Sequence, residues 1–591
     1  MPASPSGKVR IAVYSDGKKL KDNVELSSID IRKEINKIST AHLVILDHCV
    51  QEQDFPVSNS DFFKPGKEIK IELGYCDTME TVFEGIVTRH AVKADEDTSE
   101  LKIDCRDKAI VMTAVRNNAN YTEKKDSEII QALLKNYAEL QAKVDDSTVA
   151  HPVLVQYDAT DWDFLLTRAE SAGMLVTVDD ATVTVKTPDM DASPKMKVVN
   201  GDDLIDFQAE MDAESQLASF SITSWDPKTQ KIIEQKVGAK EFNKQGDLNS
   251  SALSKAISSP VFTQTCGAPY SPEALKKLIE FKRLKTGLAR IRGRMTFQGN
   301  AQALPGELIE VAGTGDHFNG KVFAGGVHHT VKNGNWVTET KLGISPEPFS
   351  ARSDLTSPEA GGILPGISGL QIGVVVKLDG DPLKLHRIQV KVPVLQAETE
   401  EIWARLALGY ASNSFGSFVL PEVDDEVVLG YFNNDPSHPV IVGSLYNGKN
   451  APPYPIKAEN NTKAFVSREK LTLELDEKEK VITVKTPGKN TVVISDKDKG
   501  ILIQDQNKNK IELNDSGITL ESAKDIKIKA KGEIEIKAGK DLSLTASSNL
   551  NGKGQKVALK GSMGFEADGG TSAKVTASGT TTIKGTLVKI N

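Results

Sequence analysis

The sequence predicts a mainly β protein that ends in a stacked, repetitive rod, and three observations carry that expectation. Short runs of alternating apolar and polar residues, separated by turn chemistry, fill most of the chain. Glycine is plentiful at 45, whereas aromatic residues make up only 6%. The last segment repeats itself with a period of eight residues. At 591 residues the chain is too long for one core, and about three to five domains are expected.

The N-terminal part, residues 8 to about 118, reads as successive strands at 9–14, 44–47, 68–73, 82–88 and 101–105. Ser15-Asp16-Gly17, Lys64-Pro65-Gly66 and Asp95-Glu96-Asp97 supply the turns, so a half-buried antiparallel sheet or barrel is expected. A helical stretch follows. Asp126 or Ser127 can cap a run in which Ile129, Ile130, Leu133, Leu134, Tyr137 and Leu140 share one face. A second helix is expected from Asp161 to Ala172, stopped by Gly173, and then a hairpin of 174–178 and 182–186 around Asp179-Asp180. The third has the clearest start: Ser271 as cap, Pro272 at the first helical position and Glu273 at the positive end of the dipole. From Ile291 to Leu342 strands return, broken by Leu304-Pro305-Gly306, residues 313–315 and Asn333-Gly334-Asn335.

Residues 345–369 are rich in Pro, Gly and Ser and read as an inter-domain linker. Beyond them, 373–378, 387–392, 402–406, 426–431 and 440–444 form about five strands, the size of an OB-type barrel.

The repeat occupies the last segment. Ile518, Ile526, Ile534, Leu542 and Leu550 recur at intervals of eight, and the first four are each followed two places later by a second apolar residue. Positions i and i+2 of a strand point one way, and the Lys, Glu, Thr or Ser between them points the other. One octad has too few inward side chains to offset the entropy of ordering it, so it must stack on others. A triangular prism, apolar inside and lysine-coated outside, satisfies that requirement and protects the strand edges. Either one chain winds round as a parallel β-helix or three chains each supply a face; periodicity allows both.

Net charge is −8 and the pI about 5.8, which argues against nucleic acid as the main partner. Cys49, Cys76, Cys105 and Cys266 are far apart, so neither a zinc site nor a disulfide framework is expected. Residues 1–7 hold no apolar run, and no stretch approaches the apolar length of a membrane span. Synthesis in the cytoplasm without a signal peptide is therefore expected.

The order of parts resembles the VgrG family, the spike proteins of type VI secretion, and the equivalent subunits of extracellular phage-tail-like particles. Phe63-Lys-Pro-Gly66 with Phe83-Glu-Gly-Ile86 is similar to a strand pair of that family's first hub barrel, and residues 161–170 with Gly173 to its hub helix. Pro305-Gly306, residues 318–320, His328 and Trp336 resemble the close of the second hub barrel. In the OB region the likeness runs through Gly373–Val376, Arg387–Val392, Trp403-Ala-Arg405, Gly416, Pro421–Val427 and Asn433–Gly443, and residues 585–591 resemble a blunt tip. The resemblance implies two hub β-barrels with a few inserted helices, an OB-fold barrel and a C-terminal triple-stranded β-helix in a homotrimer. Its expected boundaries are 1–120, 121–345, a linker at 346–369, 370–450 and 451–591. It further implies an inner-tube ring and baseplate proteins at the hub, and a PAAR-type tip protein at Leu587, Ile590 and Asn591. Ile518, Ile526, Ile534 and Leu542 become the needle core. Such a particle would pierce a target membrane mechanically and expel the spike. No lysozyme domain fits between the OB barrel and the needle, and no fused effector is expected after Asn591.

Residue types that could carry chemistry have plainer roles to fill. His317, His328 and His329 cluster locally, but adjacent strand residues point to opposite faces, so packed or surface histidines are expected and no metal. Asp161 and Asp163 suit a helix cap, and Asp424, Asp425 and Glu426 a turn, better than glycosidic acid–base work. The loop 312–316 lacks the Lys-Ser/Thr of a phosphate site. No catalytic residue and no cofactor are expected. The rival readings are a β-helical polysaccharide-degrading tail-spike enzyme, and an OB barrel holding nucleic acid or sugar through Arg387, Lys391, Trp403 and Arg405. The enzyme reading lacks sugar-stacking aromatics, since residues 471–591 contain only Phe565.

Overall fold

The computed structural model describes residues 7–47, 54–76, 78–95, 99–395 and 401–590. Cys49, the Glu96 and Asp97 of one expected turn, and Asn591 lie outside the described residues. The chain divides into two units, Met1–Asn447 and Gly448–Asn591.

A 13-stranded sheet organises the first unit. Its N-terminal strands include Val9–Ser15, Glu25–Glu34, Thr40–Leu46, Glu68–Tyr75, Thr78–Ala94 and Ser99–Arg106. They bury Ile29, Ile31, Leu43, Ile71, Phe83 and Ile103 in one core. A second core of Met295, Phe297, Val311 and Val322 lies under Ile291–Gln298, Leu308–Ala312 and Gly320–Lys332. The two strand groups share this one sheet, because Gly320–Lys332 pairs antiparallel with Glu25–Glu34, setting His329 opposite Ile31. At 13 residues that strand is long enough to send Val331 into the first core and Val322 into the second. The pairing also removes an edge each group would otherwise leave open. Its hairpin to Asn335–Leu342 turns on Asn333 and Gly334, both at positive φ (53° and 75°), the geometry that favours Asn-Gly.

The strand Glu25–Glu34 had no clear sequence signal. Its core-facing row runs Ile29, Ile31, Lys33, and the buried lysine breaks the apolar alternation while pairing with Asp179.

Helix α1 (Asp126–Leu134) begins one residue earlier than a cap at Asp126 would require. Lys125 is the cap, and its backbone N–H donates to Glu128 Oε2 at 2.9 Å. The helix also stops before Tyr137 and Leu140, since Gln141–Val144 is drawn into a parallel pair with Thr182–Lys186. In α2 (Asp161–Ser171) the cap is Thr160, which accepts from Asp163 N–H at 3.0 Å; Gly173, at φ +82°, ends it. A short α3 (Ser250–Ala256), capped by Asn249, carries no clear helical signal in the sequence. In α4 (Pro272–Leu288) Ser271 accepts from Ala274 N–H at 3.2 Å, the start read from the sequence.

Part of the Pro/Gly-rich segment after residue 345 is strapped to the helices. Phe349 is buried, and its N–H donates to Glu170 Oε2 at 2.7 Å. The other oxygen of Glu170 accepts from Lys285 Nζ at 2.6 Å, and Lys285 also bonds the Glu347 carbonyl. Arg116 holds the carbonyls of Leu355 and Asp354 at 2.8 and 3.0 Å.

A closed barrel follows, with Gln371–Lys377, Ile388–Lys391, Ile402–Leu406, Pro439–Leu445 and Glu426–Tyr431 in that order around it. Val375, Val390, Ala404, Val427, Leu429 and Ile441 fill it.

In the second unit seven strands, Thr462–Val466, Thr472–Asp476, Val481–Lys485, Thr491–Ser495, Gly500–Gln504, Lys510–Asn514 and Gly517–Glu521, form an antiparallel meander in chain order. Lys470, Lys480, Lys489, Lys499 and Lys508 take positive φ at its turns.

Candidate functional site

Register turns this meander into a surface. Leu475 lies opposite Ile482, Ile482 opposite Ile494, Ile494 opposite Ile501, Ile501 opposite Leu513, and Leu513 opposite Ile518. A second column runs beside the first through Leu473, Val484, Val492, Ile503, Ile511 and Leu520. Both columns lie on one face, because side chains two apart on a strand point the same way. On the other face the same strands align Glu474, Thr483, Val493, Leu502, Glu512 and Thr519. The apolar ladder is uncovered in the single chain: Ile494 and Ile503 are each 44% exposed and Ile518 77%. An exposed apolar surface of that extent marks an interaction face.

Pairing changes after Glu521. No strand pair and no backbone–backbone hydrogen bond joins any two described residues of 523–590. A single-chain β-helix would stack these octads on one another, and the structure does not do so. Ile526, Ile534 and Leu542 therefore stand half-exposed, at 50%, 54% and 55%. Leu587 and Ile590 are more exposed still, and their neighbour Asn591 lies outside the described residues. Of the expected needle-core residues, Ile518 alone joins the ladder.

A fixed period does not reveal the rest of the ladder. Leu475 and Ile482 are seven residues apart, but Ile482 and Ile494 are twelve apart, because a meander alternates short and long returns. The signal that could have found it is the alternation within each strand, as in Gly500–Gln504, and the polar turn after it.

Side chains weighed for chemistry are occupied otherwise. Asp161 is buried and accepts from Asn117 Nδ2 at 2.9 Å, Gln156 Nε2 at 2.8 Å and Tyr137 Oη at 2.8 Å. Burial, and then this bond to Asp161, pushes the Tyr137 hydroxyl well above the usual tyrosine range. Asp163 accepts the Thr160 hydroxyl at 2.6 Å within the α2 cap. Asp425 accepts the Glu422 N–H in a turn, with Asp424 at φ +71°. The loop 312–316 is pinned as a turn, Thr314 N–H donating to Asn319 Oδ1 at 2.8 Å.

The three histidines do not converge. His317 pairs with Asp247 at 2.7 Å and His328 with Asp30 at 2.9 Å, while His329 is buried beside Thr338 and Trp336. Burial pushes His329 down to about 3. Among the described residues no group of three or more His, Cys, Asp or Glu residues could hold a metal ion. On the barrel, Arg387 is committed to Asp381, with Nε and Nη2 at 3.0 and 2.6 Å from one oxygen. That contact holds the Asp381 carboxyl well below the usual carboxylate range. Arg405 stacks over Phe432 at 5.8 Å.

Comparison with known proteins respects the same division of the chain. Residues 371–446 match the type VI secretion system/phage-baseplate injector OB domain, and residues 481–591 the phage baseplate V C-terminal trimerisation domain. Residues 5–333, more than half of the chain, match the Alg8 N-terminal domain. Over 112 residues the chain is 30% identical to the type VI secretion system spike protein VgrG3 of Vibrio cholerae and 29% identical to VgrG1b of Pseudomonas aeruginosa. The chain belongs to the Alg8 N-terminal domain family and is a VgrG-like spike protein. The aligned part is 18% of this VgrG-like chain and 11% and 15% of those two relatives' own lengths. Among solved structures it is similar to a type VI secretion system component of E. coli, at 11% identity and a TM-score of 0.36, covering 73% of this chain and 99% of that one. It is also similar to the 43 kDa tail protein of prophage MuSo2 from Shewanella oneidensis, at 13% identity and a TM-score of 0.45, covering 57% and 98%.

Proposed function

We propose that this VgrG-like chain is the structural spike of a contractile injection apparatus and works as a homotrimer. The observation that carries the reading is the uncovered ladder of residues 473–520, succeeded by octads that pair with nothing in their own chain. Residues 481–591, nearly all of this region, match a trimerisation domain. Three ladders facing one axis bury the two apolar columns of each chain. Three sets of octads then satisfy the backbone groups that one chain leaves open, as buried backbone requires.

The hub sheet docks on the inner-tube ring and the baseplate, and the needle concentrates contraction force on a small area of target membrane. Leu587, Ile590 and Asn591 hold a tip protein of the PAAR type. The spike leaves the cell through the apparatus. It acts by stiffness, and the structural partners of Asp161, Asp163, Asp425 and the three histidines support a role of these side chains in the fold.

The test is the mass of the purified native protein. Three times the mass of one chain, with a needle that resists protease, is the expected result. A monomer with a protease-soft C-terminal half overturns the proposal.

A further inference from the structure

The meander gives way to the octads at one place, where three successive residues are held by a turn and the first residue of the strand after it. Lys510 Nζ lies 3.4 Å from Glu521 Oε2. Ser522 Oγ donates to Asn509 Oδ1 at 2.8 Å, and the Ala523 N–H donates to the same oxygen at 3.0 Å. Asn509 is fixed in turn. Its Nδ2 donates to Asp505 Oδ2 at 2.8 Å and its backbone N–H to Asp505 Oδ1 at 2.9 Å. The Asp505 N–H donates back to the Asn509 carbonyl at 3.0 Å. These bonds, that from the Asn509 side chain foremost, keep the Asp505 carboxyl below its ordinary range, so the clasp stays charged at neutral pH.

The clasp sits at the entrance to a nearly uniform repeat. Past Ala523 the octads are near copies: Ile526-Lys-Ile-Lys, Ile534-Glu-Ile-Lys and Leu542-Ser-Leu-Thr put the same kinds of side chain in the same places. A chain slipped by one whole octad against its neighbours keeps apolar residues inward and polar residues outward. The repeat therefore discriminates poorly between its own registers. Something outside the repeat has to set the phase.

We propose that the turn Asp505–Asn509 is the register stop of the needle. It fixes the height and direction in which each chain leaves its own sheet, so that three chains begin their first shared octad together. This rests on the trimer reading above and adds a residue-level cause for its alignment. Asn509 acts as a positioning residue, and its partners are the second and third copies of this chain.

The test uses the full-length protein with its native cysteines replaced by serine and a spin label on Glu535→Cys, an outward position of one octad. Distances between labels are read by pulsed dipolar spectroscopy, and trimer recovery is monitored after refolding. The labelled parent is expected to give one narrow interchain distance. Asn509→Ala, which removes both acceptor contacts and the side-chain tie to Asp505, is expected to broaden or split that distance. It should also slow recovery by about tenfold, the scale of one or two lost hydrogen bonds. If Asn509→Ala fails to refold, Asp505→Ala, which only loosens Asn509, should show the same broadening to a smaller degree. A trimeric parent whose distance and recovery are unchanged in both variants overturns the register stop alone. A monomeric parent overturns the trimer reading and the register stop with it.

Discussion

The hub sheet and the needle meander obey one local rule and meet different ends. Both are antiparallel, and both set branched aliphatic residues in cross-strand rows. In the hub, Ile71 and Ile103 are fully buried under other strands of the same chain. In the needle, Ile494 and Ile503 occupy equivalent rows and remain 44% exposed. Alternation thus specifies that a strand has an inside, and leaves open whose side chains will fill it. A chain that buries one row itself and offers another carries its oligomeric state in the second.

The largest effect that would break this contrast comes from placing one charge in the uncovered row. Ile494→Asp puts a carboxylate in the ladder of every chain, where three would meet without partners. The expected cost is several kcal/mol per chain, because unpaired charge is expensive to bury. Native mass should fall from trimer to monomer, with the hub's own unfolding transition unmoved. Phe83→Ala makes the reverse cut. It empties a fully buried site in the hub core, should destabilise the hub by about 3–5 kcal/mol, and should leave the trimer mass unchanged. If Ile494→Asp remains trimeric, the ladder is not the subunit contact.

Much of the fold is legible in the sequence, and the failures have physical causes. The barrel strands 402–406 and 426–431 and the start of α4 can be read to the residue, because turn chemistry and capping residues are local signals. Glu25–Glu34 is hidden by Lys33, a charge at an inward position that only a distant carboxylate explains. Asp161 looks like a cap, yet Thr160 takes that role; a neighbouring oxygen cannot be ranked without the backbone angle. The ladder escapes because antiparallel returns vary in length. The octads stand out because their period is constant. What the octads lack is any sign of whether their partners lie in the same chain or in others, and their unpaired backbone points to other chains.

A middle-sized effect sharpens how the hub ends. The strap at Phe349 depends on a buried pair, Glu170 and Lys285, each under 10% exposed. Lys285→Met keeps the stem and removes the cation, leaving the Glu170 carboxylate with only the Phe349 N–H. Breaking such a pair costs about 3 kcal/mol or more. The strap should then loosen, and trypsin should cut after the exposed Arg352 faster than in the parent, with mass and needle unaffected. An unchanged cleavage rate would mean that packing of Phe349 alone holds the strap.

The smallest effect is a pH dependence expected of the hub and absent from the needle ladder, which has no titratable side chain. Two hub groups oppose each other. His329 is buried and pushed down from 6.5 to about 3. As pH falls below 6.5 the unfolded chain gains a proton there that the folded chain refuses, so stability falls. Asp180 runs the other way: burial pushes it up from 3.8 to about 6, with Asp179 and Glu84 adding and Lys33 subtracting. Its contribution is complete below 3.8 and is lost as pH rises through about 6. Between pH 6 and 4 it therefore offsets part of the histidine's loss. Asp180→Asn keeps an oxygen for the Glu84 N–H, which the native carboxylate accepts at 2.9 Å, and deletes the titration. The variant should lose more stability than the parent between pH 6.5 and 4.5, by about 1 kcal/mol for a partly exposed group, read as a steeper fall in the hub's Tm. Parallel falls in the two proteins would mean that the folded hub takes up no extra proton at Asp180, and that the carboxylate stays ionised beside Lys33.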